Sequence, residues 1–137
     1  MAILPTGTLP LMPHRILICD GNDYDVYILL TSLEAAGLLF EHIRARDGSE
    51  AFNFMSGTSE FDLVVLDYWL PNQSGLGLLQ QLRQCGSFPQ CPVVVFTSYV
   101  GRDHDALRAL GVRAILEKPL SLEGYRQVAE SLAKLCV

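Results

Sequence analysis

Positive charge is scarce in this chain. Ten Lys and Arg stand against fifteen Asp and Glu over 137 residues, a formal charge of −5, with a pI near 5.0. Binding to a polyanion needs clustered basic side chains, so nucleic acid is excluded as a partner. Long apolar runs are also missing: every hydrophobic stretch is interrupted by a charge, Pro or Gly within strand length, too soon to cross a bilayer. Met1 to Pro13 has three prolines and no basic region ahead of its apolar residues, so it does not read as a secretory signal. Residues 1–13 are expected to form a flexible leader, 14–137 a single domain, and the cytoplasm is the expected location. Cys19, Cys85, Cys91 and Cys136 contain no CxxC pair. They read as reduced, structural thiols. His14, His42 and His104 are scattered without metal-ligand spacing.

What the chain has in quantity is apolar residues, 50% against 18% charged, with mean hydropathy +0.26. Such a balance implies elements buried on both faces, as when helices cover a parallel sheet. From Arg15 onward, short apolar runs alternate with longer amphipathic stretches, the rhythm of βα units. Strands are expected at Arg15–Cys19, Phe40–Ala45 (an edge strand, with alternating charge), Phe61–Leu66, Pro92–Phe96 and Arg113–Leu116. Helices are expected from the Asp20–Asp23 turn to about Ala36, over Ser49–Met55, Leu76–Gln84 and His104–Leu110, and from a Ser121 cap through Cys136. In the last helix Leu122, Tyr125, Val128, Leu132 and Leu135 fall at helical spacing. Gly37 and Gly111 end helices, and a long loop is expected through Pro71–Gly75. The product is an α/β, doubly wound (βα)5 sandwich; the alternation does not fix the strand order, and the flavodoxin-like parallel order 2-1-3-4-5 is adopted as a common order of such sandwiches.

In that fold, ligands bind beyond the carboxyl ends of the strands. Asp20, Asp67, Thr97 and Lys118 occupy those ends after the first, third, fourth and fifth strands. Two carboxylates, a hydroxyl and an ammonium on one rim suit a hard divalent cation and a phosphoryl group. An ionised aspartate needs no separate base to act as nucleophile. Each residue alone is an ordinary turn former or solvated charge, and the signal lies in their joint placement.

The segment Phe61-Asp-Leu-Val-Val-Leu-Asp67-Tyr-Trp-Leu-Pro71-Asn-Gln-Ser-Gly75, with Val93-Val-Val-Phe-Thr97-Ser98 and Leu116-Glu-Lys118-Pro119, resembles the signatures of the response regulator receiver family of two-component systems. The resemblance extends from Arg15 to the end. It implies Asp67 as phosphoacceptor, Thr97 and Lys118 as the groups that meet the phosphoryl oxygens, and Mg²⁺ held by Asp20, Asp67 and the backbone carbonyl of Trp69. It also implies a histidine kinase or histidine phosphotransfer protein as donor, a downstream protein target, a monomer or weak dimer, and no enzymatic turnover beyond slow autodephosphorylation. The chain stops after its last helix, so signalling is expected to pass through protein contacts or phosphoryl relay.

The chain departs from the family pattern at three places. Two acids usually follow the first strand, and here Asp20 is followed by Gly21. Losing one carboxylate is expected to weaken cation binding by roughly 1–3 kcal/mol, about tenfold to a hundredfold, with Asp20 or Asp23 available to move in as ligand. Ile115 takes the place of the switch aromatic, which leaves Thr97 to drive any loop shift. Trp69 and Tyr99 put rings beside the path of the hydrolytic water, and their removal is expected to shorten the acyl phosphate's life. The alternative, which Gly21 favours, is a pseudo-receiver acting as a phosphorylation-independent interaction module. A flavin enzyme is disfavoured by the acidic Asp20–Asp23 turn. A haloacid-type phosphatase is disfavoured by Trp69, where a second Asp is required.

Overall fold

The computed structural model describes residues 12–99 and 101–136. Five parallel strands form the sheet: β1 (His14–Cys19), β2 (Phe40–Ala45), β3 (Leu63–Leu66), β6 (Val93–Thr97) and β7 (Ala114–Glu117). Their spatial order is β2-β1-β3-β6-β7, which, counting sheet strands alone, is the expected 2-1-3-4-5. All four pairings are parallel, with Cys19 opposite Leu66, Leu66 opposite Val95, and Thr97 opposite Glu117. The three central strands end on one rim.

The continuous apolar runs in β1, β3 and β6 follow from burial on both faces, because successive residues point to opposite sides. Leu17, Cys19, Val64, Leu66, Val93 and Val95 pack on one side. They face α2 (Gly48–Ser56), α3 (Gly75–Gln84) and α4 (His104–Leu110) through Ala51, Leu78, Leu82 and Leu107. Ile16, Ile18, Leu63, Val65, Val94 and Phe96 pack on the other, against Val26, Leu29 and Leu33 of α1 (Asp23–Ala35) and Tyr125, Ala129 and Leu132 of α5 (Leu122–Leu135). Phe96 meets Tyr125 edge to face, ring centres 5.8 Å apart.

Local chemistry sets the helix ends. Asn22, Asp47, Ser74 and Ser121 are N-caps whose side chains accept from Asp25, Glu50, Gly77 and Gly124 N–H respectively, filling donors that the first turn leaves open. Gly111 closes α4 in the left-handed region at φ 104°, where a Cβ is costly.

Several expectations need correction. The stretch through Pro71 is not a plain loop: β4 (Trp69–Leu70) and β5 (Gln73–Ser74) form an antiparallel ribbon. Pro71 and Asn72 fill its turn with Asn72 at φ 74°, as in a turn that takes Pro first and a positive-φ residue second. Phe61 and Asp62 precede β3, which begins at Leu63. Cys136 is the C-cap of α5 rather than part of it. Leu122 is exposed despite its helical spacing. Of the thiols, Cys19 is buried, Cys91 and Cys136 are half-buried and Cys85 is exposed. The leader expected over 1–13 lies outside the described residues except for Met12 and Pro13, which lead into β1.

Gly124 sits in the first turn of α5 against the loop that carries Lys118. A Cβ there would stand 2.5 Å from Pro119 Cβ. Gly→Ala inside a helix ordinarily stabilises by up to about 1 kcal/mol. Here overpacking reverses the sign, and Gly124→Ala is expected to cost about 1–3 kcal/mol. Urea unfolding midpoints check this, and a gain in stability would show that the contact relaxes freely.

Candidate functional site

Three of the four residues expected at the rim are suspended from the neighbouring strand by the same device. The Asp20 N–H donates to Ala45 O at 2.9 Å, Asp67 N–H to Cys19 O at 2.8 Å, and Lys118 N–H to Thr97 O at 2.9 Å. Each extends the parallel ladder one residue past its strand, so the backbone positions are set before any side chain interacts. Thr97, the last residue of β6, is itself buried.

The side chains converge. Lys118 Nζ lies 2.8 Å from Asp20 Oδ2, 2.9 Å from Asp67 Oδ2 and 2.8 Å from Asp25 Oδ2. Asp67 Oδ1 accepts the Thr97 hydroxyl at 2.8 Å and the Trp69 N–H at 3.1 Å. Asp20 Oδ1 accepts the Asn22 N–H at 2.8 Å. Among the described residues no buried side-chain nitrogen or oxygen lacks a partner. The Lys118 side chain is 8% exposed.

Burial opposes the charge on Lys118, but its hydrogen bonds to Asp20, Asp25 and Asp67 outweigh it and hold the ammonium's pKa well above its ordinary value. Asp20 is displaced in the opposite sense to most ion-paired carboxylates: burial raises its pKa, and the bonds from Lys118 and Asn22 recover only part of that. One ammonium shared among three carboxylates compensates each of them incompletely, whereas desolvation acts on Asp20 directly. The pocket therefore carries a fixed positive centre and an excess of negative charge.

The pocket is an open cleft of about 430 Å³ with Gly21, Trp69, Pro71 and Ser98 on its walls. A larger hollow of about 650 Å³ lies between the loop from Met55 to Asp62 and that from Gly86 to Cys91. It sits at the amino ends of β3 and β6 and gathers no comparable set of charges. A smaller cleft of about 270 Å³, lined by Thr97, Tyr99, His104 and Ile115, adjoins the main pocket.

Trp69 and Tyr99 are 57% and 69% exposed. The Trp69 indole N–H donates to the Tyr99 carbonyl at 2.5 Å, tying the loop after β3 to the loop after β6. The Tyr68 hydroxyl donates to Asp103 between the same two regions. Burial, reinforced by Asp103, pushes the Tyr68 phenol up to about 12, so it stays protonated as a donor.

Asp20, Asp67, Thr97 and Lys118 thus come together as expected, and Asp23 does not join them. It is held outside by Arg44 at 2.6 Å and Arg46 at 2.9 Å, and those guanidiniums keep its pKa below the usual range. The carboxylate that does enter belongs to Asp25, which the sequence reading passed over. Its signal was the spacing Asn22-x-x-Asp25, which places the second residue over the helix start.

A hard divalent cation needs oxygen donors, and Mg²⁺ characteristically takes one or two carboxylates and keeps several waters. Asp20 and Asp67 supply that pair, with Trp69 on the wall beside them. Among the described residues no three Asp, Glu, His or Cys side chains are arranged to enclose an ion, and it is the Lys118 ammonium that stands between Asp20, Asp25 and Asp67. The donor chemistry fits such an ion once Lys118 withdraws from Asp20 and Asp67.

The receiver domain of response regulators matches residues 16–130. The chain belongs to that family. Among relatives of this receiver, the polar-differentiation response regulator DivK of Brucella anthropi is 28% identical over 121 residues, 88% of this chain and 96% of the relative. The bacteriophytochrome response regulator AtBRR is 30% identical over 91% of this chain and 95% of its own, with a TM-score of 0.68. The Mn(2+)-bound form of response regulator Rcp1 is 26% identical over 88% of this chain and 91% of its own, with a TM-score of 0.76. The receiver fold is thereby shown.

Lys118→Met would leave three carboxylates facing one another without their cation. Removing one partner of a buried charge group costs about 3 kcal/mol. Urea unfolding in EDTA is expected to show a loss of that order, part of it returned by millimolar Mg²⁺; unchanged stability would mean the cluster is solvated.

Proposed function

We propose that this receiver takes a phosphoryl group onto Asp67 from a histidine kinase or histidine phosphotransfer protein and signals through protein contacts that depend on it. The observation carrying this reading is the setting of the Asp67 carboxylate, with the Thr97 hydroxyl on one oxygen and the Lys118 ammonium on the other.

In the transfer, an Asp67 oxygen attacks phosphorus as the bond from phosphorus to the donor's imidazole nitrogen breaks. The imidazole leaves with that electron pair and an acyl phosphate forms. Thr97 Oγ1 and Lys118 Nζ already lie within hydrogen-bond distance of the carboxylate, so a phosphoryl group attached there falls within their reach. Mg²⁺, held by Asp20, Asp67 and the Trp69 carbonyl, would supply neutralisation of the phosphoryl oxygens. As Thr97 turns toward the new oxygens, the movement reaches Tyr99 two residues on, and from there the indole of Trp69 through their hydrogen bond.

Asp20 and Asp67 would hold the cation, and Lys118, now bonded to both, would then be free to meet the phosphoryl oxygens. Gly21 limits the strength of this binding. A Cβ there would lie 3.1 Å from the Arg46 carbonyl, a tight contact, and 3.4 Å from Pro71 Cδ, an ordinary one, so a second acid would need the Arg46 carbonyl to give by a few tenths of an ångström. That feature favours the other reading, a pseudo-receiver that binds a partner without phosphoryl chemistry. Either reading places the protein in the cytoplasm with a protein partner; among the described residues no helix is long and apolar enough to cross a membrane.

Trp69 is the chain's one tryptophan and lines the pocket, so its fluorescence reports occupancy. Mg²⁺ with beryllofluoride is expected to change that signal in the native protein and not in Asp67→Asn, and acetyl phosphate to give a phosphoryl adduct by intact mass. Silence at millimolar Mg²⁺ would turn the choice to the pseudo-receiver. In the phosphorylated protein, Trp69→Asn and Tyr99→Glu are each expected to shorten the half-life severalfold by opening the approach of water. Unchanged decay would leave the rings as cover for the loops or as a partner surface.

A further inference from the structure

Asp25 enters the pocket from an element that contributes nothing else to it. Counting from the N-cap Asn22, it is the third residue of α1. A carboxylate or amide at that position commonly turns back to the N-cap's own N–H, completing a reciprocal pair. Only half of that pair forms here. The Asn22 side chain accepts the Asp25 N–H at 3.0 Å, but the Asn22 N–H is already taken by Asp20 Oδ1 at 2.8 Å. Asp25 is thereby released from its usual partner, and its carboxylate bonds Lys118 at 2.8 Å instead.

The three carboxylates on Lys118 are not equivalent. Asp67 also accepts from Thr97 and Trp69, and Asp20 from Asn22; these are the two that a divalent cation would claim. Asp25 has no other hydrogen-bond donor to its side chain among the described residues. When a cation takes Asp20 and Asp67, it is Asp25 that remains to Lys118.

Charge points the same way. Three carboxylates and one ammonium leave the pocket two negative charges in excess, equal and opposite to a divalent ion. Without Asp25 the excess would be one, and an arriving ion would face an unneutralised ammonium. Gly21, having no side chain, supplies no charge of its own.

Building on the phosphoacceptor reading above, we propose that Asp25 is a positioning residue for Lys118. It is the counter-charge to which the ammonium stays fastened when a divalent cation takes over Asp20 and Asp67, and it restores the negative charge that glycine at position 21 omits.

The test is a double-mutant cycle on metal affinity. Full-length protein, stripped with EDTA and verified as folded by circular dichroism, is titrated with Mg²⁺ while Trp69 fluorescence is followed. The set is native protein, Asp25→Asn, Asp25→Glu, Lys118→Met and the double variant Lys118→Met/Asp25→Asn. Asp25→Asn is expected to bind Mg²⁺ about tenfold more weakly, the order of one charged hydrogen bond, with Asp25→Glu recovering most of the loss. In the Lys118→Met background the same change is expected to cost about threefold or less, because there is no ammonium left to hold. A tenfold loss in both backgrounds would mean that Asp25 acts on the ion directly, and would overturn the proposal. So would native-like affinity in Asp25→Asn. If the native protein itself responds to neither Mg²⁺ nor Mg²⁺ with beryllofluoride, the phosphoacceptor reading falls and takes this inference with it; a responsive native protein with an indifferent Asp25→Asn sinks the inference alone.

Discussion

A single ammonium among three carboxylates sets the terms for the whole rim. Carboxylates brought together out of water repel one another and lose hydration, and each is tolerated only to the extent that positive charge and hydrogen bonds replace what water gave. Lys118 supplies the charge, while the Thr97 hydroxyl and the main-chain N–H groups of Asn22 and Trp69 take the remaining oxygens of Asp20 and Asp67. This arrangement depends in turn on the sheet. Because Asp20, Asp67 and Lys118 each hang from the last carbonyl of an adjacent strand, a slip of one residue in any pairing would turn its side chain to the opposite face. Fold and site are therefore one constraint seen at two scales.

A pocket that already contains a cation differs from an empty acidic bowl. The Lys118 ammonium already offsets part of the mutual repulsion of Asp20, Asp25 and Asp67, and it stands within hydrogen-bond distance of all three. Asp20, though bonded to Lys118, has its pKa raised because its burial outweighs what the bonds from Lys118 and Asn22 return.

Most of the sheet was legible in the sequence because parallel strands covered on both faces must be apolar throughout. Phe40–Ala45 was located to the residue, since it is an edge strand bounded by Gly37 and the Asp47-Gly48 turn. The rim residues followed, because a polar side chain that ends an apolar run is conspicuous. What escaped the reading has definite causes. The ribbon of Trp69–Leu70 with Gln73–Ser74 has strands of two residues, too short for any period to show. Asp23 and Asp25 look alike in sequence, and the choice between them is made elsewhere: Arg44 and Arg46, on and just after β2, draw the first outward, and Lys118, at the far end of the chain, draws the second inward. Local pattern carries no record of partners so distant.

The indole tie across the mouth of the pocket is lopsided in what it asks of the genes that encode it. Its donor is a side chain, and tryptophan is the residue that brings an N–H to that spot; its acceptor is main chain, which every residue possesses. Codon 99 is thus free to wander without breaking the bridge, while codon 69 is not, and the same latch can accompany quite different surfaces on the outer side of the loop.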